Sequence, residues 1–194
     1  MAETTLLLVR HPETVANVTG RFVGRGDSPF TAVGLLQARR LPGKVASFRP
    51  DEVWTSPLRR AHTVAEKASR LAGAPLRADE RLLELDFGDA EGMTFQEISE
   101  AGLEFNYRSA SKPVAPGGES RGSIERRVAA VADELIARGG QFAVVAHGGV
   151  VRAMLVHVLG LEHTDVWAFH VHNAQLATIR VIDGHGMLEE YITG

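Results

Sequence analysis

Apolar positions along the chain follow two alternating rhythms. Thr4 to Val9 is apolar without alternation, which predicts a strand covered on both faces, as in a parallel sheet between helix layers. Glu52 to Thr55 and Phe142 to Ala146 predict two more strands. Between them the period lengthens. Thr31 reads as the N-cap of a helix through Leu35, Leu36 and Ala38 toward Leu41, which Pro42 should break or kink. Ser56-Pro57 reads as an N-cap with proline at the first helical position, opening a helix to about Ala72 that Gly73 and Pro75 punctuate. Leu76 to Asp86 reads as extended with a turn near Asp79, and helical patterning returns from Phe95 to Glu104. Ser123 opens a helix with Ile124, Val128, Val131, Leu135 and Ile136 at helical spacing, closed by Gly139-Gly140. His147-Gly148-Gly149 turns into an apolar helix, Val150 to Leu159. Val166 to Ile192 alternates around the turn Asp183-Gly184, predicting a terminal pair of strands, at least one of them antiparallel.

This order predicts an α/β fold: a three-layer α/β/α, doubly wound, mostly parallel sheet with an antiparallel edge strand. At 194 residues the chain fits one domain, residues 1–194, with a helical, lid-like insertion at about 88–122 over the rim. Hydrophobic residues at 44% and charged residues at 23% provide for a true core. The formal net charge of −3 lacks the broad positive field of a general nucleic-acid binder, so any anion site is local. The absence of cysteine excludes disulfides, thiolate metal sites and cysteine nucleophiles. The run Leu6 to Val9 is too short for a membrane span or a signal-peptide core. A cytoplasmic protein with neither nucleic-acid nor membrane partner is the expectation.

In doubly wound folds, ligands bind beyond the carboxyl ends of the strands. Arg10-His11, Ser56 with Arg59 and Arg60, and His147-Gly148 all lie just past predicted strand ends, and the extended stretch could bring Glu84 to the same rim. Two imidazoles, two or three guanidiniums, an amide, glycine-rich backbone and one carboxylate describe a phosphate pocket, because arginine forks and helix N-termini both present N–H groups to oxyanions. No nearby carboxylate cluster suggests magnesium, so phosphoryl transfer would rely on fixed donors and on a side-chain nucleophile or positioned water. A neutral imidazole suits the nucleophile, and Glu84 is the candidate acid for the leaving alkoxide. Arg59 and Arg60 remain alternatives at this level. Phe22 and Val23 could line a substrate mouth. His170 and His172 read as sharing a strand face, but without a carboxylate or thiolate partner no metal is predicted.

Arg10-His11-Pro12-Glu13-Thr14 followed by Asn17 resembles the Arg-His-Gly-Glu-Thr-x-x-Asn signature of the histidine phosphatase superfamily, the phosphoglycerate mutase-like proteins. Gly20-Arg21-Phe22 through Thr31, Ser56-Pro57-Leu58-Arg59-Arg60-Ala61, Leu83-Glu84-Leu85-Asp86-Phe87-Gly88, Pro116-Gly117-Gly118-Glu119-Ser120 and Ala146-His147-Gly148-Gly149 are similar to that family's further motifs, in its order. The resemblance implies that His11 is the phosphorylated nucleophile, Glu84 the proton donor, and Arg10, Arg60 and His147 the phosphate clamp. It implies Asn17 as a neutral donor, with the loop carrying Arg21, Phe22 and Val23, and the backbone at Gly148, on the substrate side. Two positions depart from the pattern: Pro12 stands for the usual glycine and loses an N–H, and Ala90 stands where tryptophan is common. The implied activity is a metal-independent phosphomonoesterase acting on a small phosphorylated metabolite, with no cofactor. A phosphoglycerate mutase-type phosphotransferase and a catalytically silent phospholigand binder are the alternatives. The short chain and Glu84 to Gly88 look more like the phosphatases, including α-ribazole phosphatases. The resemblance is compatible with a homodimer, which no residue pattern demands.

Overall fold

The computed structural model describes residues 3–193, and for residues 163, 165 and 166 the backbone only. Six strands, β1 (Thr4–Arg10), β2 (Glu52–Thr55), β3 (Leu76–Ala78), β4 (Gly140–Ala146), β5 (Gln175–Ile182) and β6 (His185–Thr193), form one sheet in the order β3-β2-β4-β1-β5-β6. The pairs from β3 to β1 are parallel, whereas β1 with β5 and β5 with β6 are antiparallel. Antiparallel pairing therefore occupies one margin of the sheet, as the alternation after Val166 predicts. The pair begins only at Gln175, because a 3₁₀ turn spans His163–Ala168. His170 and His172 thus precede β5 instead of sharing a strand face, although their rings lie 4.1 Å apart.

The unbroken apolar run of β1 is explained by burial on both faces. Leu6 and Leu8 join β4 residues Phe142 and Val144 in a core with α5 (Arg121–Arg138) and α6 (Gly148–Val158). Leu7 and Val9 join Ala143 and Val145 in a second core under α2 (Ala32–Ser47) and α3 (Arg59–Ala72). Each fully buried leucine contributes about 1.5–3 kcal/mol of apolar transfer free energy. Two short helices, α1 (Val15–Val18) and α4 (Phe95–Glu100), complete the set.

Several helix boundaries differ from the expectations. Helix α2 runs through Pro42 to Ser47. Pro42, Leu41 and Val45 are all buried on the second core, so packing offsets the missing backbone donor. Helix α3 begins at Arg59 after Leu58, and Ser56 is not its cap. Helix α5 begins at Arg121, where Ser120 Oγ accepts the Ser123 N–H. Thr31 does cap α2, accepting from Gly34 N at 2.9 Å, and Gly73 ends α3 in a left-handed conformation at φ 67°. In the segment 88–122 the regular structure before Arg121 is a 3₁₀ turn at Gly88–Ala90 and α4, shorter than the patterning from Phe95 to Glu104 suggests. Ala90 is buried there with Ile98 and Ala115 against Phe22, Phe87 and Phe105.

Candidate active site

Strand register brings the two imidazoles together. Arg10 pairs with Ala146 across β1 and β4, and His11 N donates to Ala146 O at 2.9 Å, so His11 and His147 leave neighbouring strand ends side by side. Their ring centroids lie 5.3 Å apart at 60°. Both are buried. His11 Nδ1 is 2.7 Å from Pro12 O. A carbonyl only accepts, so Nδ1 carries the hydrogen and Nε2 of the neutral ring keeps its lone pair. His147 Nε2 meets Ser56 Oγ at 2.7 Å, the role of Ser56 at the end of β2, while His147 Nδ1 is buried without a hydrogen-bond partner. Burial, reinforced for both rings by Arg10 and Arg60, holds each imidazole well below its ordinary pKa of 6.5.

The cations frame this pair. Arg10 Nη1 donates to Val171 O at 2.6 Å, and its Nε is buried without a partner. Burial pulls its pKa down to about 10, opposed by Glu84 and aided by Arg152 and Arg60. Arg60 is buried at the start of α3 and donates to Gly26 O at 2.7 Å and Gly24 O at 2.6 Å. Arg59, its neighbour, is exposed, and both arginines line a cleft shared with Arg39 and Lys67. Of the two arginines, the structure brings Arg60 into the charge field of the imidazoles.

Glu84 is half-buried and follows the 3₁₀ turn Glu80–Leu82. Its Oε1 accepts from Leu85 N at 2.9 Å and its Oε2 from Gly149 N at 3.1 Å, so the carboxyl sits on the N-terminus of α6. A methyl group at Gly149 would lie 2.3 Å from Glu84 Oε1, which explains the second glycine after His147. Gly148 lies against Arg10, where a methyl group would be 3.4 Å from Nε. Glu84 and Gly149 open onto a cavity of about 220 Å³ that includes Phe22 in its lining.

A model of the histidine phosphatase superfamily (branch 1) matches residues 6–193. The chain belongs to the histidine phosphatase superfamily. It is 34% identical over 180 residues, 91% of this chain and 89% of the other, to a Hydrogenobacter thermophilus protein named for phosphoserine phosphatase activity. It is 31% identical over 173 residues, 84% of this chain and 76% of the other, to a glucosyl-3-phosphoglycerate phosphatase of Mycolicibacterium vanbaalenii. A mycobacterial glucosyl-3-phosphoglycerate phosphatase solved with VO3 superposes with a TM-score of 0.85 at 27% identity, covering 98% of this chain and 99% of that one. The chain is a phosphatase of this superfamily.

In this histidine phosphatase the two departures fall where the fold tolerates them. Pro12 contributes its carbonyl to His11, which proline retains, and Ala90 is buried in the small core below the rim. Asn17 Oδ1 accepts from Thr14 N at 3.0 Å, Thr14 Oγ1 at 2.9 Å and Asn173 Nδ2 at 2.9 Å, leaving its amide nitrogen as the free donor. Arg21 does not face the site: it forms a bidentate pair with Glu97 at 2.8 and 3.0 Å and donates to Gly92 O. It ties the loop to α4, so its assignment to the substrate side is corrected. Val23 lends its carbonyl to Arg60 at 3.4 Å and is not among the residues lining the Glu84 cavity, whereas Phe22 is.

Four supporting groups escape sequence reasoning. Asn173 Nδ2 also reaches His11 O at 3.3 Å and Pro12 O at 3.4 Å, and Ala174 N donates to His11 O at 3.1 Å. Ala174 takes φ 57°, a left-handed conformation that costs an alanine about 1–2 kcal/mol, where the chain wraps His11. Glu91 accepts from Gly24 N and Gly26 N, holding the loop whose carbonyls hold Arg60. Arg127, paired with Glu119 at 2.8 Å, donates to Leu83 O at 2.6 Å and Glu84 O at 3.2 Å. No signal singles out Asn173 within the alternating stretch after Val166, whereas Glu119, the partner of Arg127, stands inside a family-like motif.

Proposed function

We propose that this phosphatase hydrolyses phosphate monoesters of a small metabolite through a phosphohistidine at His11, with Glu84 as proton donor and no metal ion. The commitment of His11 Nδ1 to the Pro12 carbonyl carries the reading, because it leaves Nε2 as the nucleophilic nitrogen of a ring kept neutral by its surroundings. The Nε2 lone pair attacks phosphorus, the bond from phosphorus to the ester oxygen breaks, and the departing alkoxide takes the proton held by Glu84. Glu84 then takes a proton from water, whose oxygen attacks phosphorus. The P–Nε2 bond breaks, its electron pair returns to His11, and orthophosphate leaves.

Arg10, Arg60, His147 and Asn17 are the donors for the phosphoryl oxygens. The buried Arg10 Nε–H has no competing protein partner, and neither has His147 Nδ1, which donates in the tautomer whose Nε2 accepts from Ser56 Oγ. In a dry site, fixed donors of this kind are worth about 3–4 kcal/mol each to a developing oxyanion.

Turnover of p-nitrophenyl phosphate between about pH 5 and 8, unaffected by chelator, is the expected result, and its absence overturns the enzyme assignment. Protein quenched in alkaline detergent, where a P–N bond survives, should carry label from radiolabelled phosphate ester in the wild type and none in His11→Ala. Glu84→Gln should slow alkyl phosphates by about 10²–10⁴ and p-nitrophenyl phosphate much less, since only the poor leaving group needs the proton. Equal losses on both esters would remove Glu84 from that role.

A further inference from the structure

The cavity of about 220 Å³ beside Glu84 lies on the side where the alcohol leaves, if the ester is cleaved as proposed above. It is small against the roughly 300–1,000 Å³ of drug-sized sites, so its enclosed part suits a small alcohol. Phe22, Phe87, Tyr107 and Trp167 contribute its aromatic lining, and four charged groups open onto it: Glu84, Arg121, Glu125 and Arg152.

These charges do not balance during catalysis. Arg121 and Glu125 pair at 2.9 Å with both side chains only 12% exposed, so they neutralise one another. Glu84 is uncharged in the acid form that protonates the alkoxide. Arg152 then stands as the uncompensated cation. Its Nε donates to Phe169 O at 3.0 Å, and its guanidinium carbon lies 5.8 Å from the Trp167 ring centre. One hydrogen bond and one ring thus fix the fork's plane. No carboxylate among the described residues forms an ion pair with it. Its charge nevertheless reaches the site, since it contributes to the lowering of the Arg10 pKa.

A fixed guanidinium with free Nη groups matches a carboxylate by two parallel hydrogen bonds. We propose that Arg152 receives a carboxylate carried on the alcohol portion of the substrate, so that the chain prefers phosphate esters of small hydroxy acids over those of neutral alcohols. This selectivity rests on the hydrolase assignment for the placement of the alcohol beside Glu84, but Arg152 acts in binding and can be tested without turnover.

Calorimetry on His11→Ala should find 3-phosphoglycerate bound at least about tenfold tighter than glycerol 3-phosphate, which has the same carbon count and no carboxylate. Adding Arg152→Gln, which keeps a donor for Phe169 O, should bring the two affinities within about twofold, and Arg152→Lys should retain part of the preference. A purely structural role would weaken both ligands alike and leave their ratio intact. Equal affinities in His11→Ala, or a ratio that survives Arg152→Gln in protein whose melting temperature is unchanged, overturns the proposal. Turnover of p-nitrophenyl phosphate by the wild type is scored separately. Its failure alongside an intact binding ratio would sink the hydrolase and spare the carboxylate site.

Discussion

Asn173 shows how a single amide can set the attitude of a reactive ring. Its nitrogen faces three oxygens, those of the His11 and Pro12 carbonyls and Asn17 Oδ1, at 2.9 to 3.4 Å. Removing it frees both the backbone that orients His11 and the amide that Asn17 presents. Asn173→Ala should lower kcat by about 10- to 100-fold with a smaller change in KM, since misplacement by about 1 Å costs that much. Asn173→Asp keeps the shape but sets an acceptor against three acceptors, so it should be at least as damaging; steady-state kinetics on both variants checks this. Neither residue type nor spacing marks Asn173, which lies 162 positions from His11. His11, His147, Arg10 and Glu84, by contrast, were legible because each stands just beyond an apolar run or in a run of recognisable neighbours. Arg21 misled for a local reason: its partner Glu97 lies 76 residues away, and nothing near Arg21 announces it.

Among the elements, α6 does the most at its first turn. Its N-terminal Gly149 N–H grips Glu84, and the missing side chain there admits the carboxyl. Gly149→Ala should displace Glu84 and lower kcat on alkyl phosphates by at least about tenfold while leaving the helix itself sound, because alanine favours helices by about 1 kcal/mol over glycine. Far-UV circular dichroism beside kinetics separates the two effects. Strand and helix order could be read from periodicity, since β1 and β4 bury both faces and α5 presents a regular apolar stripe. Boundaries could not, where side chains found distant partners. Ser56 turned to His147 and ceased to be a cap, and Pro42 stayed helical because it is buried in packing that local propensity ignores.

For the molecule as a whole, two neutral buried imidazoles link stability to pH. The folded state holds His11 and His147 well below 6.5, whereas the unfolded chain protonates them near their ordinary value. Below about 6.5 the unfolded state therefore binds more protons, and stability falls with acidification through that window. The melting temperature should decline as pH drops from about 7 to 5, and His147→Gln should flatten that decline. An unchanged slope would mean that these rings titrate normally in the folded protein.

The sheet order carries one more consequence. Strand β1 lies between β4 and β5, with Thr4 opposite Gly140 on one side and Val181 on the other. A ribosome delivers its Leu6 to Val9 run more than a hundred residues ahead of either neighbour, so this greasy segment must wait unpaired while most of the chain is synthesised. Loop closure over such separations makes folding slow and leaves the nascent chain exposed to aggregation. The central placement that sets His11 beside His147 thereby gives the nascent chain a long interval in which its most apolar strand has no partner.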